Sequence, residues 1–407
     1  MFSHLPATPD DPILGLMAQF RNDPRASKID LGVGVYRDEA GRTPILDCVR
    51  EAERLRLAEE DSKSYQGMAG DPAFTAAIEA LALAEHPVRR DQRVFTAQTP
   101  GGTGALRVAA ELIRHSRPDA CLWLPDVSWA NHPSVFQAAG LRLREYPYYD
   151  PHSQSLRADA LLAALAQVPA GDVVLMHACC HNPSGVEIPD RLWPEIAALA
   201  QRRGFVPLLD MAYQGFAEDL DRDAAGVRTL AAAVPEMLLC TSCSKNFGLY
   251  RERIGALSLI GDGARTTAAA GSVMLGRIRN LYSMPPAHGA AIVARILTRP
   301  TLTAQWRDEL AAMRERIRRM RALAASRLAA TGLQRDFGFI ERQRGLFSFL
   351  GISTAQVDRL RDEFAIYLVG SSRMNLAGLS AGNIDYFADS LATVLRERPG
   401  PAPVSAP

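Results

Sequence analysis

Met237-Leu238-Leu239-Cys240-Thr241-Ser242-Cys243-Ser244-Lys245-Asn246-Phe247-Gly248-Leu249-Tyr250-Arg251-Glu252-Arg253 is an apolar run that gives way to hydroxyls, one lysine and, eight residues later, an arginine. A short apolar run that ends at polar residues reads as a buried strand whose carboxyl end meets solvent or ligand. Working outward, the same pattern recurs at 94–97, 121–124, 173–176 and 205–209, with helical patterns between, at 104–115 and 192–203. This alternation predicts an α/β domain built around a mainly parallel sheet. Ligands of such sheets bind beyond the carboxyl ends of the strands, where the polar residues of this chain collect.

Composition narrows the function classes. The chain has 407 residues, 47% of them hydrophobic, enough for a large core and two domains. Lys plus Arg number 46 against 45 Asp plus Glu, so a net charge of +1 supplies no field for nucleic acid or an anionic membrane. The start, Met1-Phe2-Ser3-His4-Leu5-Pro6, has no basic stretch followed by an apolar one, and no run of about 18 apolar residues occurs. A cytoplasmic protein is expected. The six cysteines are read as reduced thiols, and the Cys240/Cys243 pair as structural. Cys179-Cys180-His181 lacks a second ligand cluster at zinc spacing, so no metal is expected.

Towards the C-terminus an arginine-rich helix is predicted over 301–330. Its Arg314, Arg316, Arg318, Arg319 and Arg321, interrupted by Glu309 and Glu315, read as a solvated face linking two domains. Short strands are expected at 337–340 and 345–350, and a loose tail after 398.

Particular residues carry chemistry. A lysine amine forms a Schiff base with an aldehyde, and Ser242, Ser244 and Arg253 suit a phosphate. Alone, Lys245 also reads as a surface cation. Gly101-Gly102-Thr103-Gly104 follows a strand and opens a helix, so its N–H groups can cradle phosphate, although such turns are also purely structural. It does not continue as a dinucleotide fingerprint, because Leu106-Arg107 follows and the later glycine is missing. Asp210 ends an apolar strand, where a lone carboxylate needs a cation such as a pyridinium, or else caps a helix. Tyr213 and Asn182 can hydrogen-bond a ring oxygen. Trp129 offers a face for stacking, or simply fills core.

Taken in order, Leu31-Gly32-Val33-Gly34-Val35-Tyr36, Thr99-Pro100-Gly101-Gly102-Thr103-Gly104-Ala105-Leu106, residues 179–185, Asp210-Met211-Ala212-Tyr213-Gln214-Gly215-Phe216, residues 244–253, Tyr282-Ser283-Met284-Pro285-Pro286-Ala287-His288-Gly289 and Arg373-Met374-Asn375-Leu376-Ala377-Gly378 resemble the aspartate/aromatic aminotransferase family. These are pyridoxal-phosphate enzymes of fold type I, subgroup I, and the resemblance spans almost the whole chain. It implies a large cofactor-binding domain at 43–312, a smaller α+β domain from 1–42 and 313–398, and a flexible tail at 399–407. It implies that Lys245 bonds the cofactor and then moves the substrate proton, that Asp210 pairs with the pyridine nitrogen, and that His132 supports Asp210. Tyr213 and Asn182 would bind the ring oxygen. Gly102, Thr103, Ser242, Ser244 and Arg253 would form the phosphate cup, joined by Tyr65 of a second subunit in a homodimer with shared active sites.

The resemblance assigns Arg373 to the substrate α-carboxylate, with Gly34, Trp129 and Asn182, and Arg279 of the second subunit to a distal carboxylate. Planar two-point pairing suits arginine at both places. An amino acid and a 2-oxo acid are the implied substrates, aspartate or glutamate foremost. Met284 departs from the usual Asn or Ser and removes a polar group near Arg279, which favours aromatic donors. Val35, Arg37, Thr43 and Thr103 lean towards the aspartate branch. A lyase, decarboxylase or cyclase on the same cofactor is a further alternative.

Overall fold

The computed structural model describes residues 2–5 and 12–396. The chain divides into two compact units, one from Met1–Arg42 and Arg316–Pro407 and the other from Thr43–Glu315. The tail expected at 399–407 lies outside the described residues.

The Thr43–Glu315 unit is built on a seven-stranded sheet in the order Val94–Pro100, Ile254–Ile260, Met237–Ser242, Val206–Met211, Val173–His177, Cys121–Pro125, Arg142–Tyr146. Only Ile254–Ile260 runs antiparallel to its neighbours; the remaining pairs are parallel. Every residue of Val173–His177, Met237–Ser242 and Ile254–Ile260 is buried, which explains their unbroken apolar character: helices cover both faces. The Gly101–Ser116 helix contributes Leu106, Val108, Ala109, Leu112 and Ile113 to that core, and the Ala264–Leu281 helix adds Met274 and Ile278.

The strands extend a residue or two past their apolar runs, so Asp210 and Ser242 lie inside strands rather than after them. Two strands of this seven-stranded sheet escaped the apolar-run reading. Arg142–Tyr146 is an edge strand with largely exposed charges, and Ile254–Ile260 begins directly behind Arg253.

The other unit corrects two expectations. Residues 339–342 form a single helical turn, Phe339–Arg342, not a strand. Its Ile340 carbonyl accepts from Arg321 Nη1 over 2.8 Å, a bond that a sheet ladder would have taken. Phe347–Phe349 is a strand and pairs antiparallel with Arg373–Asn375. The arginine face of the Pro300–Ala330 helix is also not wholly solvated. Arg316 and Arg321 are buried. Arg321 gives hydrogen bonds to the carbonyls of Ile340, Arg344, Gly345 and Phe347 and to Ser348 Oγ, and Arg316 donates to Leu379 O and pairs with Glu39. Each guanidinium turns inward to donate to backbone carbonyls, which pattern reading cannot foresee.

All six cysteines are buried and none forms a disulfide. Among the described residues no helix is long and apolar enough to cross a membrane.

Candidate active site

Asp210 sits within Val206–Met211, 8% exposed, beside the carboxyl end of Met237–Ser242. A carboxylate only accepts, so His132 Nε2–H donates to Asp210 Oδ2 over 3.0 Å. His132 Nδ1 then accepts from the Ser128 hydroxyl over 2.7 Å, and Ser128 Oγ accepts in turn from His177 Nε2–H over 3.4 Å. The chain of donors runs one way, towards Asp210. Burial pushes the Asp210 carboxyl up, but the hydrogen bond from His132 leads the opposing effects that together outweigh it, so the acid lies below its ordinary range. Burial, with His132 next to it, brings His177 down to about 3, and His181 falls well below its usual value for the same reason. His181 stacks on Tyr148 at 4.1 Å and donates to or accepts from Ser184 Oγ through Nδ1 at 2.8 Å. Asp210 is thus an ionised aspartate with the neutral His177 and His181 behind His132, and its other oxygen takes no hydrogen bond from a described residue.

Lys245 follows the next strand, and its Nζ stands 4.9 Å from the centre of the buried Tyr213 ring. Asn182 is buried in the turn after Val173–His177. Trp129, half-buried, meets the His132 ring edge-on at 5.3 Å. The strand ends therefore bring Lys245, Asp210, Tyr213, Asn182, Trp129 and His132 to one edge of the sheet.

A second group forms an anion cradle at the same edge. Gly101 and Gly102 open the Gly101–Ser116 helix, whose N-terminus has no side-chain cap and no acidic residue in its first turn. Those N–H groups and the helix dipole favour an anion. Arg253 donates to Ser244 Oγ at 3.4 Å and to Tyr250 O at 2.9 Å, and forms no ion pair among the described residues. Ser242 Oγ is 3.1 Å from Ser244 Oγ. Gly101 has φ +73°, and a Cβ there would fall 2.5 Å from Arg253 Nη2, so only glycine lets the guanidinium lie against the helix start.

In the unit from Met1–Arg42 and Arg316–Pro407, buried Arg373 donates to Gly32 O at 2.7 Å and lies 4.5 Å over the Phe347 ring. Asn375 Nδ2 bonds Val33 O at 2.6 Å and Val35 O at 2.7 Å, fixing the loop that carries Gly34. Tyr65 and Arg279 are on the surface of the Thr43–Glu315 unit. Tyr65 is 93% exposed, and the exposed Arg279 hydrogen-bonds the Ser283 hydroxyl. The hydroxyl beside Arg279 therefore comes from Ser283, one residue before the atypical Met284. Cys179, Cys180 and Asp223 lie close enough to share a metal, but the Asp223 carboxylate is occupied by the N–H groups of Gly215, Ala217 and Glu218.

The sequence profile described as "Aminotransferase class I and II" matches residues 26–391. The chain belongs to that family. Among its relatives, this aminotransferase-family chain is 48% identical to an aspartate aminotransferase of Salmonella typhi, covering 97% of this chain and 100% of the relative. It is 47% identical to an aromatic-amino-acid aminotransferase of Pseudomonas aeruginosa, over 97% of this chain and 98% of the relative. Its fold matches a crystal structure of an aromatic-amino-acid aminotransferase from Burkholderia pseudomallei covalently bound to pyridoxal phosphate, with a TM-score of 0.95, 45% identity, and 97% and 99% of the two chains covered. Within this aminotransferase fold, sequence reasoning missed Ser128, His177 and Asn375 as supporting residues. Each had a signal: Ser128 is four residues before His132, His177 ends an apolar run, and Asn375 is two residues after Arg373.

Proposed function

We propose that the protein is a pyridoxal-phosphate aminotransferase that moves the amino group of aspartate or glutamate to 2-oxoglutarate or oxaloacetate by a ping-pong mechanism, as a cytoplasmic homodimer. The observation that carries this is the buried, ionised Asp210 with one oxygen on His132 and one open, at the same sheet edge as Lys245. Pyridoxal phosphate offers a basic ring nitrogen, a phosphate and an aldehyde. The residues fit each: Asp210 suits the protonated nitrogen, the Gly101–Arg253 cradle suits the phosphate, and Lys245 suits the aldehyde.

When bound, that cofactor accepts the electron pair left as the substrate α-carbon loses its proton. Lys245 Nζ is the base that takes this proton and returns it on the far side of the transfer. Asp210 holds a negative charge against the ring nitrogen, with His132, Ser128 and His177 fixing its orientation. Tyr213 and Asn182 would bind the ring oxygen, and Trp129 would stack on the ring. Gly102, Thr103, Ser242, Ser244 and Arg253 would hold the phosphate, with Tyr65 of the second copy. Arg373 with Gly34 would take the substrate α-carboxylate by the family resemblance, which also names Trp129 and Asn182 for it, and Arg279 of the second copy would pair with the distal one. Exposed Tyr65, Leu57 and Leu281 on the Thr43–Glu315 unit support a face covered by that copy.

A second reading, aromatic donors, is favoured by the half-buried thioether of Met284 next to Ser283 and Arg279. Turnover of aspartate and of phenylalanine with 2-oxoglutarate separates the two. The dicarboxylic reading expects the higher kcat/KM for aspartate. A chain that turns over phenylalanine but neither aspartate nor glutamate overturns it.

A further inference from the structure

Gln98 is a fully buried polar side chain in Val94–Pro100, the outer strand of the sheet, and the chemistry described above leaves it without a role. Both ends of its amide are used. Oε1 accepts from Asp71 N over 3.1 Å, and Nε2 donates to Pro286 O over 2.7 Å. Its backbone continues the same link: Gln98 N donates to Ala69 O at 2.9 Å, and Tyr282 Oη makes a longer contact to Gln98 O at 3.5 Å. Gly70 closes over the side chain with φ +85°, and a Cβ there would lie 2.4 Å from Gln98 Cβ and Oε1. The loop is thus pressed onto the amide so tightly that glycine is required.

The two segments clamped in this way are the ones bearing the exposed Tyr65 and Arg279. Ala69, Gly70 and Asp71 follow Tyr65 in one loop. Tyr282 and Pro286 bracket Ser283, which accepts from Arg279. A single strand residue therefore ties both protruding segments to the rigid sheet and to each other. We infer that Gln98 is a positioning residue that sets Arg279 and Tyr65 together for a second copy of this chain, so that grip on the substrate's distal carboxylate and grip on the cofactor phosphate are coupled through one amide. This rests on the assignment of Arg279 and Tyr65 to the second copy's site. Replacing the amide by an apolar isostere leaves Pro286 O and Asp71 N unpaired and lets both segments shift, and a small misplacement weakens a two-point ion pair.

The test uses Gln98→Met and Gln98→Glu in the full-length, cofactor-loaded enzyme, each also combined with Arg279→Lys. Gln98→Met should raise KM for aspartate about tenfold, with kcat and the KM for phenylalanine changed less than about twofold, the size expected of a loosened two-point ion pair. Pyridoxal phosphate should dissociate faster on dilution. Gln98→Glu, whose buried carboxyl stays protonated and can still donate and accept, should recover most of the aspartate KM. In the Arg279→Lys background, Gln98→Met should have little further effect on aspartate. Equal losses for aspartate and phenylalanine, or full additivity with Arg279→Lys, would overturn the positioning role while leaving the aminotransferase reading intact. If the unmutated enzyme shows no preference for a dicarboxylate that Arg279→Lys removes, the underlying assignment fails instead.

Discussion

Asp210 is a buried charge held in place by a chain of hydrogen bonds. His132 gives it a proton-bearing nitrogen, and the donors behind His132 all point the same way. Asp210→Asn removes the charge but keeps the shape, and should cut kcat by a factor of about 10² or more with a melting temperature close to the parent's. Lys245→Ala should lose at least as much while remaining folded, because its amine is the proposed proton carrier; steady-state rates and thermal melts check both. The histidines make a separate, pH-dependent prediction. His177 is held down to about 3 by burial, so between that value and its ordinary 6.5 the unfolded chain binds a proton that the folded chain refuses. Its contribution to stability is present above about pH 6.5 and is lost as pH falls, with a slope of at most ~1.4 kcal/mol per pH unit. His177→Gln should flatten the fall in melting temperature between pH 6.5 and 4.5; an unchanged slope would show that the group is not buried neutral. None of this tuning was legible in the sequence, where His177 reads as the end of an apolar run.

Elements explain which parts of the site could be read in advance. The strands at 173–177, 206–211 and 237–242 are buried on both faces, so their apolar runs marked them, and the residues that follow each run fell at one edge by the logic of parallel sheets. Arg142–Tyr146 could not be read this way because an edge strand needs one apolar face only. The Pro300–Ala330 helix misled for a different reason: charge in sequence does not reveal that Arg316 and Arg321 turn inward to collect carbonyls. The roles of Lys245, Asp210 and the cradle came from resemblance as much as from spacing, and the chain's own geometry then supplied why Gly101 must be glycine. Gly101→Ala forces a Cβ to 2.5 Å from Arg253 Nη2 in a left-handed backbone. It should destabilise the protein by about 1–3 kcal/mol and weaken pyridoxal-phosphate retention, both measurable by thermal melts with and without added cofactor. A variant that melts and binds like the parent would show that the cradle is looser than drawn.

At the scale of the whole molecule, the proposed homodimer means that Lys245 and Arg279 of any one site come from different copies. Mixing a Lys245→Ala protein with an Arg279→Asp protein, after dissociation and reassociation, should therefore restore about a quarter of the aspartate activity, since half the dimers are hybrids and one of their two sites is intact. No recovery after exchange would place Arg279 with its own Lys245 or outside the site. Neither unit's fold alone distinguishes an aspartate from an aromatic specialist, since both kinds of relative match the chain about equally well. The most direct test of the central claim is the absorbance spectrum of the cofactor-loaded protein as aspartate, glutamate and phenylalanine are added singly with no oxo acid present. Aspartate or glutamate should convert the bound cofactor from its aldehyde to its amine form at lower concentration than phenylalanine does, with one oxo acid released per site. A spectrum that changes without forming the amine cofactor, or that responds to none of the three, would contradict amino transfer.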